Sequence, residues 1–391
     1  MNQLPRSFSI ILFCIAICMS YSCSNNSKKL NNKEQQILNN LKSNITDSIT
    51  FSLIMDTIHK YYKNNNLLLS EAYLLYSKFY SETNNDSSNY YLEKSIEISQ
   101  RNKFDTILID LLMYKHKSYE DVELSFNDLY KADSLANALN DTLRIAKVNQ
   151  LLASKYYRHK PKECEKYYEI AYRNFMLVKD TVNAGYCIQN IGFAYGEQLN
   201  EYEKSAKYIE RAYSLWIEKR NVFQQANLKK YLGICYSKLQ NFGKAKADIL
   251  EGIDKFYSIY DTSGVAVCLY DLSIVYEEEK NLDSAIFYQQ KSKEYWYKKK
   301  DIGRLFAVNN NLFLNYIHIG NKVKAEMYYN ENVEFLKNMY MSSILTLYFY
   351  NNCITYFTIL NDTGNVFFYN EKLQRYKDDL AKNGIAIPKL N

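Results

Sequence analysis

The segment YLGICY, residues 231–236, decides the fold together with the small and apolar residues that follow it. The later positions of the pattern are Phe242, Ala245, Ile249 and Gly252. In both segments the apolar residues recur with the spacing of one face of a helix, so the pattern predicts two consecutive helices. The small residues predict that these helices approach closely, because larger side chains would hold the two backbones apart.

This pattern returns at a spacing of about forty residues. Strong copies begin at Ile191, Leu272 and Leu312, and weaker copies extend the series in both directions. The weaker copies begin at Leu75, Leu112, Leu152 and Cys353. Self-similarity at such a period is typical of repeat proteins, in which each unit buries its apolar face against the next.

The repeated elements resemble the tetratricopeptide repeat. They are Leu-Gly-x-x-Tyr in the first helix and Ala-x-x-x-aromatic-x-x-Ala in the second, and the match is strongest over residues 184–335. The period is nearer 40 residues than the usual 34, so we expect longer helices than in the standard unit. The resemblance implies an all-α, right-handed superhelical solenoid of about eight helix hairpins.

Large residues occupy one position in each repeat: Phe175, Trp216, Phe256, Trp296, Leu336 and Tyr376. Large side chains at a fixed repeat position are typical of packing between neighbouring repeats. We therefore expect these six residues in the core and do not interpret them as a cofactor site. Asp-Thr or Asp-Ile pairs recur before apolar segments and predict helix N-caps rather than metal ligands. These aspartates are Asp105, Asp141, Asp180, Asp261 and Asp301.

The first residues predict export. Arg6 precedes an apolar stretch from Phe8 to Met19, which has the length of a secretory signal and is short for a membrane span. Small residues then precede Cys23, and this arrangement resembles a bacterial lipoprotein signal. The resemblance implies a lipidated Cys23 as the mature N-terminus and anchoring in the bacterial cell envelope, in the periplasm or outer membrane. Ser20 stands where that family usually has Leu, so ordinary secretion and an uncleaved anchor remain alternatives.

These features divide the chain into five predicted regions. They are a signal peptide at 1–22, a polar linker at 23–32, capping helices at 33–66, the repeat array at 67–382 and a tail at 383–391. The apolar stretch at 344–360 contains Asn351 and Asn352, whose amides would be costly in lipid. We therefore predict a buried first helix of the last repeat there, with an exposed docking face as the alternative.

Sequence motifs for catalysis are missing. The four histidines have no ligand spacing, and the five cysteines after Cys23 are widely separated. We expect buried cysteines, no catalytic residue, no cofactor, no metal site and no enzymatic activity. The net charge of +6 is spread along the chain, which argues against a nucleic-acid partner.

Binding is the more natural use of such a fold, because the first helices of tetratricopeptide-like repeats line a concave face. Using Gly192 and Gly233 to set the register, we predict partner contacts from amide, phenol and amine side chains on that face. They are Gln150, Tyr186, Gln189, Asn227, Lys230, Tyr270, Asn310 and Tyr350. Such groups pair with a peptide backbone, although an ordinary solvated face would have a similar composition. Of the family's carboxylate clamp only Lys230 is present, so we do not transfer that activity.

The sequence-based hypothesis is a non-enzymatic interaction scaffold of the cell envelope that binds a peptide or protein segment. One alternative is a free-standing sensor or regulatory protein, since similar repeats form the sensor portions of bacterial regulators. A less favoured alternative is glycan capture beside an outer-membrane transporter. Proteins of that class carry inserted loops, which this even array lacks.

Overall fold

The computed structural model describes residues 30–45, 48–81, 83–115, 122–338 and 343–382. The predicted signal peptide, Cys23 and the tail at 383–391 lie outside these residues. The described part forms eighteen α-helices and contains no strand. In chain order the helices are α1 Asn32–Ser43, α2 Ser48–Tyr61, α3 Asn66–Tyr80, α4 Asn85–Asn102, α5 Asp105–Lys115, α6 Val122–Ala138, α7 Thr142–His159, α8 Pro161–Leu177, α9 Thr181–Gln198, α10 Tyr202–Glu218, α11 Val222–Lys238, α12 Phe242–Ser258, α13 Thr262–Glu278, α14 Leu282–Lys299, α15 Ile302–His318, α16 Lys322–Asn338, α17 Ser343–Ile359 and α18 Thr363–Lys382.

Consecutive helices pack in pairs, which confirms the predicted all-α hairpin repeat. The chain divides into two compact units, Met1–Cys187 (unit 1) and Ile188–Asn391 (unit 2). In unit 1 the pairs include α3 with α4, α5 with α6 and α7 with α8. In unit 2 they include α11 with α12, α13 with α14, α15 with α16 and α17 with α18. We call the first member of each pair in unit 2 a first helix, and the surface of these helices the first-helix face.

The turns of unit 2 follow one plan. Residues 220, 240, 260, 280 and 300 are non-glycine residues with left-handed φ angles of 52° to 66°, and Gly320 takes the same place with φ 74°. The residue after each left-handed position contacts both neighbouring helices. Its backbone N–H ends the preceding helix, and its side chain caps the next. Asn241 N–H donates to Tyr236 C=O over 2.8 Å, and the Asn241 side chain accepts from Lys244 N–H over 3.2 Å. Each of the six helices before these turns therefore ends in a Schellman motif whose last residue caps the next helix.

Four of the five predicted aspartate caps are confirmed. Asp141, Asp180, Asp261 and Asp301 each accept a hydrogen bond from the backbone N–H three residues later, over 3.0 or 3.1 Å. The prediction for Asp105 is wrong by one position, because Asp105 is already the first residue of α5. A carboxylate in the first turn still stabilises a helix through the helix dipole.

The predicted ladder of large residues lies between repeats. Phe175, Trp216, Phe256 and Trp296 are buried, whereas Leu336 and Tyr376 near the end of the array are half-buried. Small residues permit the close helix contacts. A Cβ added to Gly233 would lie 2.9 Å from the Ala245 carbonyl oxygen and would overlap the Ile249 side chain, so only glycine fits without a shift. The core thus follows the repeat pattern of the sequence.

The apolar segment at 344–360 forms α17, the first helix of the last pair, with Leu347, Phe349 and Cys353 buried in unit 2. Within the described residues, none of the helices combines the length and apolar character that crossing a membrane would require. The region boundaries at 33–66 and 67–382 stay a prediction.

Candidate functional site

The eight residues predicted to bind a partner lie on α7, α9, α11, α13, α15 and α17, and they differ in accessibility. Gln150 on α7 and Tyr186 on α9 belong to unit 1 and are half-buried. The other six belong to unit 2. Asn227, Lys230, Tyr270 and Tyr350 are half-buried, whereas Gln189 and Asn310 are buried. With 8% and 3% of their surfaces exposed, Gln189 and Asn310 offer little to a partner in this conformation.

Hydrogen bonds link successive first helices of unit 2 along this face. The Asn311 amide of α15 donates to the Tyr270 hydroxyl of α13 over 2.9 Å. The Asn352 amide of α17 donates to Asn310 Oδ1 of α15 over 3.0 Å. Both bonds join residues one repeat apart, so Tyr270 and Asn310 help to hold neighbouring hairpins together. Whether the eight side chains bind a partner stays a prediction.

Two other members of the set have local partners. The Asn227 amide donates to the Phe223 carbonyl of its own helix over 3.1 Å. The Tyr350 ring lies 5.9 Å from the Tyr369 ring and 6.1 Å from the Tyr376 ring, measured between centroids. These contacts orient the two side chains, and both residues are half-buried.

Asp271, which the sequence interpretation missed, is the most unusual group on this face. It follows Tyr270 on α13, is half-buried, and has no hydrogen-bond or ion-pair partner among the described residues. Burial raises the pKa of the Asp271 carboxyl from 3.8 to about 6, and the positive charges of Lys230 and Arg304 offset this rise only in part. The Asp271 carboxyl has therefore lost hydration without gaining a hydrogen-bond donor among the described residues.

Lys230 of α11 is the complementary group. Its ammonium acts electrostatically on Asp271, yet no carboxylate of the described residues lies within ion-pair distance of it. Arg304, in contrast, is engaged elsewhere. Its Nε lies 3.4 Å from Asp301, and its guanidinium stacks 4.5 Å above the Trp296 ring. Lys230 and Asp271 are thus opposite charges from neighbouring hairpins, and each keeps its hydrogen-bonding capacity free.

Tyr270 adds a neutral donor beside Asp271. Its hydroxyl oxygen accepts from Asn311, so the hydroxyl proton remains to be donated. Burial, with further contributions from Glu277 and Asp271, raises the pKa of Tyr270 well above its ordinary value. The hydroxyl therefore keeps its proton at any physiological pH.

Glu277, on the same helix, is a carboxylate with a structural role, and it contrasts with Asp271. Its Oε1 accepts from the Gln289 amide over 2.5 Å and from the Asn315 amide over 2.5 Å. Burial raises the pKa of Glu277, but these two donors oppose the rise. Asp271 lacks such donors. A half-buried, unpaired carboxylate reduces stability, and groups of this kind concentrate at functional sites.

A weak signal for Asp271 exists in the sequence. Successive first helices carry Tyr231, Asp271, Asn311 and Asn351 at this register, so Asp271 is the acidic member of the four. The register set by the repeat glycines predicts position 270 instead. Positions 270 and 271 flank the same helix face, and the sequence does not tell how deeply each is buried.

Chemistry at the remaining polar residues is limited. The described residues contain no group of three or more His, Cys, Asp or Glu side chains that would hold a metal. The five described cysteines are free and buried. Burial raises the pKa of the Cys164 thiol to about 12 and that of Cys235 to about 11. Thiols that stay protonated are poor nucleophiles.

Comparison with known proteins relates the fold to solved helical-repeat structures. No family model matches the chain, and no curated protein matches it. The apo form of RapI has a TM-score of 0.65 and 16% identity, over 90% of this chain and 99% of that chain. The apo form of the quorum sensor NprR from B. thuringiensis has a TM-score of 0.54 and 14% identity, over 88% and 98% of the two chains.

A third similar structure has the repeat named in its description. It is a Signal Transduction ATPase with Numerous Domains protein with a tetratricopeptide repeat sensor from Pyrococcus horikoshii. Its TM-score is 0.58 at 14% identity, over 91% of this chain and 55% of that chain. These likenesses confirm a tetratricopeptide-like fold.

Proposed function

We propose that this chain is a non-enzymatic regulatory or sensor protein that binds a peptide or protein segment on the first-helix face of unit 2. The observation that carries the proposal is the free pair of opposite charges, Lys230 and Asp271, beside the Tyr270 hydroxyl. Lys230 and the Tyr270 hydroxyl are hydrogen-bond donors, and Asp271 is an acceptor. Together they can pair with the alternating C=O and N–H groups of an extended segment.

The similar structures favour the regulatory reading over a purely structural one. Two of them are described as a quorum sensor and as a protein with a tetratricopeptide repeat sensor. The similar fold supports the comparison with these sensor proteins. The unpaired charges of Lys230 and Asp271 are a feature of this chain itself. Buried Asn310 is better regarded as a support for the face than as a contact residue.

The site of action that we propose is the bacterial cell envelope, where the chain would also serve as an interaction scaffold. The support is the sequence of the first residues, with an apolar stretch followed by Cys23. Replacement of Cys23 by Ser should move the protein from the membrane fraction to the soluble exported fraction. Unchanged fractionation of Cys23→Ser would remove lipidation from the proposal.

Cross-linking in the native host, followed by mass spectrometry, identifies the attached segment. Affinity for that purified segment is then measured with the full chain and with a Lys230→Met/Asp271→Asn double variant. We expect the double variant to bind at least about tenfold more weakly, because two charge-assisted contacts are lost. Asp283→Asn/Lys322→Met is the matched control, since it makes the same charge changes at exposed positions of second helices. Equal affinity of all three proteins would exclude this face.

A further inference from the structure

The last described hairpin, α17 with α18, differs from the earlier ones at a position that is otherwise buried and uncharged. This position recurs every forty residues on α10, α12, α14, α16 and α18, where it holds Ala212, Gly252, Ser292, Asn332 and Lys372. The first four residues are buried, whereas Lys372 is exposed. A charge therefore appears in the last described hairpin at a place where the earlier hairpins bury their side chains.

The earlier hairpins show what this position contacts. A Cβ added to Gly252 would lie 3.2 Å from the Ala226 carbonyl oxygen of its own hairpin and 3.7 Å from Cys268 Sγ of the next hairpin. The position thus lies between two successive first helices. Ser292 fits the same place and donates to the Ala266 carbonyl oxygen over 2.7 Å. A lysine ammonium buried there would lose its hydration, which is costly.

Aromatic residues beside Lys372 keep the pattern that stacks hairpins elsewhere. Tyr376 continues the series of large residues and is half-buried, whereas Trp296 in the same series is buried. Phe368 is 45% exposed, although Tyr328, its counterpart one repeat earlier, is buried. Phe368, Lys372 and Tyr376 follow one another at intervals of four residues on α18, so they share one side of the helix. We call this surface the end face.

The Lys372 side chain lies over the rings at this surface. Its Nζ is 4.4 Å from the ring centroid of Phe368, 5.7 Å from that of Tyr369 and 5.9 Å from that of Tyr350. An ammonium group is attracted to the face of an aromatic ring, so these contacts favour this position of the side chain. A second molecule that packed against the end face would have to displace the ammonium or remove its water.

We infer that Lys372 prevents two copies of this chain from associating end to end through their end faces. A second copy is the occupant that the face would otherwise fit, because identical apolar surfaces can meet across a twofold axis. Phe368 and Tyr376 supply the apolar surface, and Lys372 supplies the charge that opposes its burial. Lysine has the same effect at the exposed edges of β-sheets. The inference goes beyond the proposed function because it concerns neither the first-helix face nor a bound segment.

Sedimentation equilibrium of the full chain tests the inference. Lys372→Ser introduces the residue type of Ser292, and its mass should rise with protein concentration towards about twice that of the natural chain. Lys372→Met keeps an unbranched side chain over the rings and should associate in the same way. Circular dichroism checks that each variant is folded, and the second variant decides the outcome if the first does not fold.

Two further variants assign the association to the end face. Lys382→Ser removes the same charge from an exposed position of the same helix and should keep the mass of the natural chain. Lys372→Ser/Phe368→Ala should lose the association that Lys372→Ser gains. Unchanged mass of the folded Lys372 variants, association of Lys382→Ser, or retained association of the double variant overturns the inference. A natural chain whose mass falls on Phe368→Ala would also overturn it, because that chain would already associate through this face.

Discussion

The Asn352 side-chain amide donates a hydrogen bond to Asn310 Oδ1 over 3.0 Å, and the two residues lie on consecutive first helices of unit 2. Both residues are buried, at 7% and 3% exposure, so neither amide has ready access to water. The bond therefore fixes the relative position of two hairpins. The Tyr270–Asn311 bond does the same one repeat earlier.

Asn310→Ala should destabilise the protein by about 1–3 kcal/mol, because the buried Asn352 amide loses its side-chain acceptor and keeps only the Asn310 carbonyl oxygen, 3.5 Å away. Urea unfolding of the full chain measures this change in the free energy of unfolding. The double variant Asn310→Ala/Asn352→Leu removes both polar groups and should recover part of the loss. A double variant that loses the sum of the two single changes would contradict the proposed pairing.

Asp271→Asn should stabilise the protein at pH 7.5 by about 1–2 kcal/mol, since it removes a poorly hydrated charge. The folded chain raises the pKa of Asp271 to about 6, so the folded state holds the proton more tightly than the unfolded state. The wild-type chain therefore loses stability as the pH rises from about 4 to about 6. Melting temperatures of the two proteins should differ at pH 7.5 and converge near pH 4. A constant difference across this range would contradict the raised pKa.

Tyr260→Gly should stabilise unit 2 by about 0.5–1 kcal/mol. Tyr260 has a φ angle of 58°, which is unfavourable for a side-chain-bearing residue, and its side chain is 92% exposed. Glycine relieves the backbone penalty and loses almost no packing. Thermal melting gives the sign, and Gly320→Ala, at the equivalent turn, should shift the melting temperature in the opposite direction.

Gly233→Ala and Gly243→Ala should act in opposite directions. A Cβ at Gly233 would collide with Ile249 and the Ala245 carbonyl, so a loss of about 1–3 kcal/mol is expected. A Cβ at Gly243 meets no atom within 4 Å, and alanine is the better helix former, so a gain of about 0.4–1 kcal/mol is expected. Chemical denaturation of the two variants separates these effects. Equal changes would exclude close packing at Gly233.

The sequence predicted the hairpin architecture well because the contacts that define it recur. Gly233 and Trp216 occupy fixed positions of the repeat, and their neighbours recur with them, so periodicity alone places them in the core. The caps were predictable for the same reason, apart from the shift of one residue at Asp105.

The candidate site was harder to predict because it depends on departures from the repeat. Asp271 stands out through the lack of a donor, and Asn310 is buried by contacts from the next hairpin. Periodicity places both residues on a first helix, but it gives neither their burial nor their partners. Local side-chain exposure therefore had to come from the structure.

The turns at residues 220, 240, 260, 280, 300 and 320 have one further consequence, which concerns how such a chain grows. Because each turn ends one helix and caps the next in the same way, any forty-residue segment excised or duplicated between two equivalent turns leaves every junction chemically intact. Gene duplication can thus lengthen or shorten the array without new loop sequences. Residues such as Asp271 are then free to diverge within a copy whose framework is already complete.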